Sequence, residues 1–454
     1  MRISRPVRFV VATIVIALFG ASCRPGFREV PLDRLLEGLD PTSVLVGCDR
    51  TAERLVLTTS THLDPSCTYT AGVDITGSEV TLDCRGARID DPSGSGRVGI
   101  LVSAPTDVAL HGVTVRNCVV SRFLNNVRVT RTGFKSLPVG NEYEHAFTDI
   151  TIEHSHLYSS RGSGVFVDGY VTDVTLDELD ISGSGSVGIY FEAGSRANTV
   201  TGSTIVANGF GDVKPEGAPF SVGSLDFRYE STGREGIAVD GSRDNVITGN
   251  TLAGNSAGGI FLYKNCGEYA TEKLAQWWTR PYGATGNLIE GNDLSWEDNG
   301  VWVGSRMAEN QTFLDCSDPT YGPSDALTRI HLDQADDNTV RGNSFDHVRH
   351  GVRVEDDGTV VDANTFTSDR ATHEAVIVGT KRRTRFLAEP VSGTVLTANV
   401  ATIAGNPDPF TWIHGHVLTT ESGNLADGLP SALAPGTQPT VNPWLFVVRF
   451  WQVP

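Results

Sequence analysis

One phrase recurs along the chain and constrains the fold more than any other feature. It reads Asn198-Thr-Val-Thr-Gly-Ser, Asn245-Val-Ile-Thr-Gly-Asn, Asn287-Leu-Ile-Glu-Gly-Asn and Asn338-Thr-Val-Arg-Gly-Asn. An apolar residue follows each copy at a fixed offset: Ile205, Leu252, Leu294 and Phe345. A second phrase, glycine then alternating apolar residues, begins at Gly164, Gly188, Gly236, Gly259, Gly300 and Gly351, with looser copies at Gly99, Asn126 and Ala375. Gly164 to Gly188 is 24 residues, Gly236 to Gly259 is 23, and Gly351 to Ala375 is 24. Each unit holds about three short strands between Asn and Gly corners. Strands this short stack on the same strand of the next unit, not on each other as hairpins, which builds a parallel β-helix. Asparagine suits the corners because it tolerates a left-handed backbone and bonds locally.

These phrases, with Cys67-Thr-Tyr-Thr-Ala-Gly-Val-Asp-Ile, Val80-Thr-Leu-Asp-Cys84 and Val113-Thr-Val-Arg-Asn-Cys118, resemble the right-handed parallel β-helix proteins of the pectin-lyase-like superfamily over roughly residues 60 to 385. The resemblance implies an all-β, single solenoid with long excursions and a C-terminal cap. It also implies activities on polysaccharides: lyase, glycoside hydrolase or uronate epimerase, or a glycan-binding surface protein without chemistry. The expected layout is a signal peptide over 1–22, a leader and cap over 23–60, the β-helix over 61–385 and a capping region over 386–454, where Trp412, Trp444, Phe446, Phe450 and Trp451 gather.

The chain opens with Arg2, Arg5 and Arg8, an apolar run from Phe9 to Phe19, and the small residues Gly20, Ala21 and Ser22 before Cys23. That order reads as an export signal, too short to span a bilayer. Cys23 sits where a bacterial lipoprotein carries its lipid, so the protein is expected at the cell envelope, either secreted or anchored through Cys23. The six remaining cysteines pair by proximity as Cys48–Cys67, Cys84–Cys118 and Cys266–Cys316, as an oxidising compartment favours. No CxxC or paired Cys/His spacing calls for zinc. A formal charge of −18 argues against nucleic acid as partner and mildly against polyanions.

Three stretches break the period. Residues 209–235 and 265–286 read as loops, and 305–328 is ambiguous because Arg329-Ile-His-Leu-Asp could itself be a rung. Long loops on a solenoid commonly wall a binding groove.

Strand alternation sorts the glycine phrase. Val165/Val167, Ile189/Phe191, Ile237/Val239, Ile260/Leu262 and Val301/Val303 point inward. Outward fall an aromatic column, Phe166, Tyr190, Phe261 and Trp302, then His331, and an acidic column, Asp168, Glu192 and Asp240. Stacked rungs lie ~4.8 Å apart, so these carboxylates would repel and split their proton affinities. That is what acid–base cleavage of a glycosidic bond needs. The separations, roughly 5 Å between neighbours and 9–10 Å across two rungs, suit a retaining or an inverting hydrolase respectively. Asp168, Glu192, Asp240 and Lys264 are therefore the candidate catalytic residues. Phe166, Tyr190, Phe261, Trp302, Arg306 and the lid residues Trp277 and Trp278 are the candidate sugar contacts. The competing reading is a structural or calcium-binding polar ladder with a salt bridge to Lys264. No cofactor is required, and a monomer acting on a polysaccharide is expected. Nucleophile elbows, Walker loops, dinucleotide fingerprints and zinc-protease motifs are missing, as is the Asp-Pro-His-Asp of uronate epimerases; Asp90-Asp-Pro-Ser comes nearest.

Overall fold

The computed structural model describes residues 42–138, 140–222, 225–264, 282–304, 320–321, 330–331, 334–381, 383–384 and 389–437, with the side chains of 216–230, 320–321 and 330–331 left aside. Its strands form three parallel sheets of 13 strands each, wound as a right-handed parallel β-helix. Every turn of the coil passes through the first sheet, then the second, then the third. The asparagine phrase supplies first-sheet strands such as Thr199–Thr201 and Val246–Thr248. The residues after it supply second-sheet strands, Thr204–Val206 and Thr251–Ala253. The glycine phrase supplies third-sheet strands, Glu235–Asp240, Gly258–Tyr263 and Asn299–Val303.

Identical phrase positions align across rungs. Val200 pairs with Ile247, Ile205 with Leu252, and Ile237 with Ile260. All ten inward residues expected for the third sheet are buried in one continuous core. This register is fixed because a slip by one residue would turn every apolar side chain outward.

The asparagines do a different job from the one expected. They stay out of the left-handed region, apart from Asn117, and that conformation falls to their neighbours, for example Ala197, Asp244 and Gly249. Most of the phrase asparagines instead donate to the amide oxygen one rung on. One ladder runs Asn198, Asn245, Asn287, Asn338 at 2.7–2.9 Å. A longer one runs Asn250, Asn292, Asn343, Asn364, Asn399, Asn424 at 2.9–3.0 Å. An amide carries both donor and acceptor, so it can satisfy the rungs above and below at once.

The coil exceeds the expected bounds at both ends. It begins at Val44–Val46, paired with Thr61–Leu63, and continues to Ala434–Pro435, paired with Thr411–Trp412. Residues 386–435 are thus not mainly a cap: Phe410–Trp412 is a third-sheet strand, with Trp412 packed on the core. Leu429–Pro430 folds back antiparallel on Leu425–Ala426 and ends the second sheet. Trp444, Phe446, Phe450 and Trp451 lie outside the described residues.

Between second and third sheets, residues 213–232 form an antiparallel hairpin, Val213–Val222 with Leu225–Thr232. The strands on either side, Ile189–Phe191 and Glu235–Asp240, pair directly, so no hidden rung intervenes. The possible rung at Arg329–Asp333 is corrected. Asn299–Val303 pairs directly with His350–Val354, while Ile330–His331 pairs antiparallel with Thr320–Tyr321. His331 therefore does not belong to the outward column.

Disulfides join Cys48 to Cys67 and Cys84 to Cys118, with Cα atoms 5.4 and 4.8 Å apart. Cys23 and the Cys266–Cys316 pair lie outside the described residues.

Candidate functional site

The third sheet places the expected outward residues in register. Phe166 aligns with Tyr190, Tyr190 with Ala238, Ala238 with Phe261, and Phe261 with Trp302. Asp168, Glu192 and Asp240 each follow an aligned strand residue, and Asp240 pairs with Tyr263. Outward does not mean exposed, however. Tyr190, Phe261, Tyr263 and Trp302 are buried with Val187, Ala238 and Ala257 in a second apolar cluster, against which half-buried Phe166 packs. Phe261 meets Trp302 edge-on at 5.4 Å, and Phe166 stacks on Tyr190 at 4.8 Å. The expected open aromatic platform is thus corrected to a packed layer. Alternation settles which way a side chain points, whereas cover depends on residues distant in sequence.

Asp168, Glu192, Asp240 and Lys264 are buried as well. The acids have different partners, which removes the uniform repulsion expected of a column. Asp168 takes a two-pronged ion pair from Arg128, at 2.7 and 2.9 Å, and the same guanidinium lies 5.1 Å from the Phe166 ring centre. The Tyr190 hydroxyl donates to Asp240. Glu192 accepts the Ala193 N–H at 2.9 Å. Since Arg128 occupies both oxygens of Asp168, that residue is ill suited to hold calcium.

Sequence reasoning missed Glu235, which opens the strand that ends at Asp240. It is buried, accepts the Tyr263 hydroxyl at 2.8 Å and pairs with Arg234 at 3.2 Å. Burial opposes the Arg234 charge, but Glu235 and Tyr263 outweigh it and hold the guanidinium pKa well above its ordinary value. Strict alternation from Ile237 would have turned Glu235 inward, so the pattern that found the other acids does not find this one. Arg306, Trp277 and Trp278 lie outside the described residues. On the first sheet, Glu153, His154 and Asp177 offer three potential cation ligands within 4.8 Å of one another.

A second constellation lies at the corner between second and third sheets. A cleft of about 450 Å³ is lined by Phe210, Trp296, Glu297, Asp298, Arg349 and Arg370, among others. Trp296 occupies a left-handed corner, φ +57°, where the rungs before it carry Ala207 and Gly254 and the next carries His347. The Trp296 and His347 rings stack 4.4 Å apart. Glu297 takes the place of a ladder asparagine: Asn208 donates to Asn255 at 2.9 Å, and Asn255 to Glu297 Oε1 at 2.8 Å. Glu297 Oε2 is buried without a hydrogen-bond partner. Burial pushes the Glu297 pKa up to about 8, with Asp298 adding to the effect. Burial also lowers that of His373, aided by the nearby Arg370. The signal for this site was present in the phrase: ten residues past its first Asn stand Asn208, Asn255 and then Glu297.

Residues 71–273 match the family model described as "right handed beta helix region". No curated protein matches the chain. Among solved structures, the A-module of the Azotobacter vinelandii mannuronan C-5 epimerase AlgE6 is 15% identical, with a TM-score of 0.48 over 83% of this chain and 91% of that one. The catalytic domain of a GH87 α-1,3-glucanase is 12% identical, TM-score 0.44, over 87% of this chain and 63% of that one. The Dettilon tailspike protein is 13% identical, TM-score 0.47, over 86% and 60%.

Proposed function

We propose that this right-handed parallel β-helix, of the pectin-lyase-like superfamily, is an exported enzyme acting on a polysaccharide at the outer face of its third sheet. The observation carrying this reading is the burial of Asp168, Glu192, Glu235, Asp240 and Lys264 on a face outside the main core. Desolvating an ion costs several kcal/mol even after relaxation, and apolar residues often replace a buried ion pair without loss of stability. A coil that needed only to stand would not concentrate such groups, whereas a reaction centre requires them.

In this reading Tyr190 and Asp240 form the proton-transfer pair, their hydrogen bond being the path between phenol and carboxyl. Glu192, on the neighbouring rung, is the second carboxyl of a glycoside hydrolase, ~5 Å away as a retaining mechanism needs. Asp168 fixes Arg128, and Lys264 supplies positive charge to the developing anion. The Tyr190–Asp240 bond together with Lys264 favours a second reading, proton abstraction from a uronate by a lyase or epimerase. The two disulfides and the basic, then apolar leader support export; lipidation at Cys23 and a monomeric state belong to the same proposal.

A polysaccharide panel tests it. New reducing ends without absorbance at 235 nm mark a hydrolase, and absorbance at 235 nm marks a lyase. Tyr190→Phe, Glu192→Gln and Asp240→Asn are each expected to lower kcat by about 10²–10⁴. Full activity in all three rejects the assignment, and binding without any turnover across the panel makes the protein a glycan-binding module.

A further inference from the structure

We propose that the corner cleft is a separate binding site for an acidic saccharide, held by the Arg370 guanidinium, the Trp296 and Phe210 rings and the Glu297 carboxyl group. The cleft stands at the N-terminal end of the third-sheet strand Asn299–Val303. Asp240 and Lys264 sit at the opposite ends of their strands, so the two sites are a strand length apart, about 13 Å for five residues. Its volume of about 450 Å³ falls within the usual range for small ligands.

Three features call for a ligand. Phe210 and Trp296 are 58% and 57% exposed, and both line the cleft. Trp296 holds the left-handed corner that Ala207 and His347 hold on other rungs, and its ring projects beside the cleft from there. A ring presented there, backed by His347, is a surface on which the C–H face of a sugar can lie.

The second feature is Glu297. It is 3% exposed, and Oε2 faces no donor or acceptor. An asparagine here would continue the ladder. A carboxyl leaves an oxygen unsatisfied. A protonated carboxyl can donate to a ligand hydroxyl or carboxylate, which supplies the missing partner.

The third feature is charge. Asp298 is neutralised by Arg349 at 3.1 Å. His347 lies between Asp346 and Asp369, at 2.9 and 3.3 Å. His350 pairs with Glu374 at 3.1 Å, and His373 with the Ser368 hydroxyl at 2.9 Å. Arg370 lies 5.7 Å from the Trp296 ring centre and makes no ion pair among the described residues. A chain of formal charge −18 thus holds an exposed guanidinium beside an uncharged acid and two aromatic rings. That combination selects a sugar bearing a carboxylate over a neutral one.

Calorimetric titration of the full chain with hexagalacturonate and with maltohexaose tests this. Hexagalacturonate is expected to bind at least about tenfold more tightly, and Arg370→Ala and Trp296→Ala are each expected to lose about tenfold, equivalent to about 1.4 kcal/mol. Wild-type affinity falls as pH rises through about 8, because an ionised Glu297 repels the ligand and no longer donates. Glu297→Gln keeps binding at pH 6.5 and lacks that fall. Absence of hexagalacturonate binding at millimolar concentration, equal binding of maltohexaose, or unchanged affinity in Arg370→Ala overturns the proposal. The readout is binding lost in Arg370→Ala and Trp296→Ala, so failure of the third-sheet chemistry leaves it intact.

Discussion

Glu297→Gln provides a quantitative test of how burial acts on one carboxyl. A carboxyl at the end of the Asn208–Asn255 ladder has its pKa moved from 4.5 to about 8 by burial. The folded protein therefore binds a proton that the unfolded chain releases, and the sign follows. Below pH 4.5 the group is neutral in both states and costs nothing as a charge. As pH rises from 4.5 to about 8 the unfolded state gains progressively, and above about 8 the penalty is constant. At about 1.4 kcal/mol per pH unit, the penalty reaches about 3 kcal/mol at pH 7 and about 5 kcal/mol above pH 8. Glutamine keeps the oxygen that accepts from Asn255 and cannot ionise. The variant is thus expected to match the wild type near pH 4 and to be about 3 kcal/mol more stable at pH 7. Guanidinium unfolding midpoints of both proteins at pH 4, 5.5, 7 and 8.5 measure the difference. Because solenoids can unfold in parts, the informative quantity is the change of that difference with pH. A difference that stays constant from pH 4 to 8.5 refutes the reasoning.

Three further outcomes follow from the packing. Asn250→Ala leaves the Ser203 N–H without its acceptor and removes the side-chain bond to the Asn292 amide oxygen, which keeps only the Asn250 backbone N–H, an expected loss of about 2–3 kcal/mol, read from denaturant midpoints. Arg128→Met strands buried Asp168 and is expected to cost about 3 kcal/mol, while Arg128→Met with Asp168→Leu recovers most of it; equal stability of the single and double variants contradicts the ion-pair assignment. Replacing Cys84 and Cys118 by serine opens a loop of 34 residues and is expected to cost about 3–4 kcal/mol, seen as a lower Tm.

The rungs and their register were legible because one phrase marks the same point of every turn, and a parallel coil repeats its pairing at that period. The inward list, Val165 through Val303, followed from alternation alone. The terminal rungs were missed because their phrases drift: Thr394-Val-Leu-Thr-Ala-Asn399 keeps the shape but loses the first Asn and the Gly. Asn399 still joins the ladder, so the second asparagine was the steadier marker. The acidic column was read in the right order but with the wrong surroundings. Arg128 sits one rung before Phe166, and its reach to Asp168 is diagonal, which a same-position reading does not see. The cleft escaped because Trp296, Arg349 and Arg370 come from three consecutive turns and share no motif; only the Asn-to-Glu change at 297 betrays it.

The three sheet corners differ in how much new chain they can accept. From Val119–Ser121 onward, first- and second-sheet strands are joined by two residues, such as Gly202 and Ser203, and the long amide ladder ties that corner rung to rung from Asn250 on. An insertion there would break a hydrogen bond on each side. The hairpin at 213–232 instead enters the third sheet, and the excursions beginning near 265 and 305 leave it. Added loop length costs only logarithmically there, and the strand that follows returns to register. Relatives of this coil can therefore diverge in length at the two margins of the third sheet while the asparagine corner stays the same size. Variation in what is recognised and constancy in what supports it are assigned to different edges of one repeating turn.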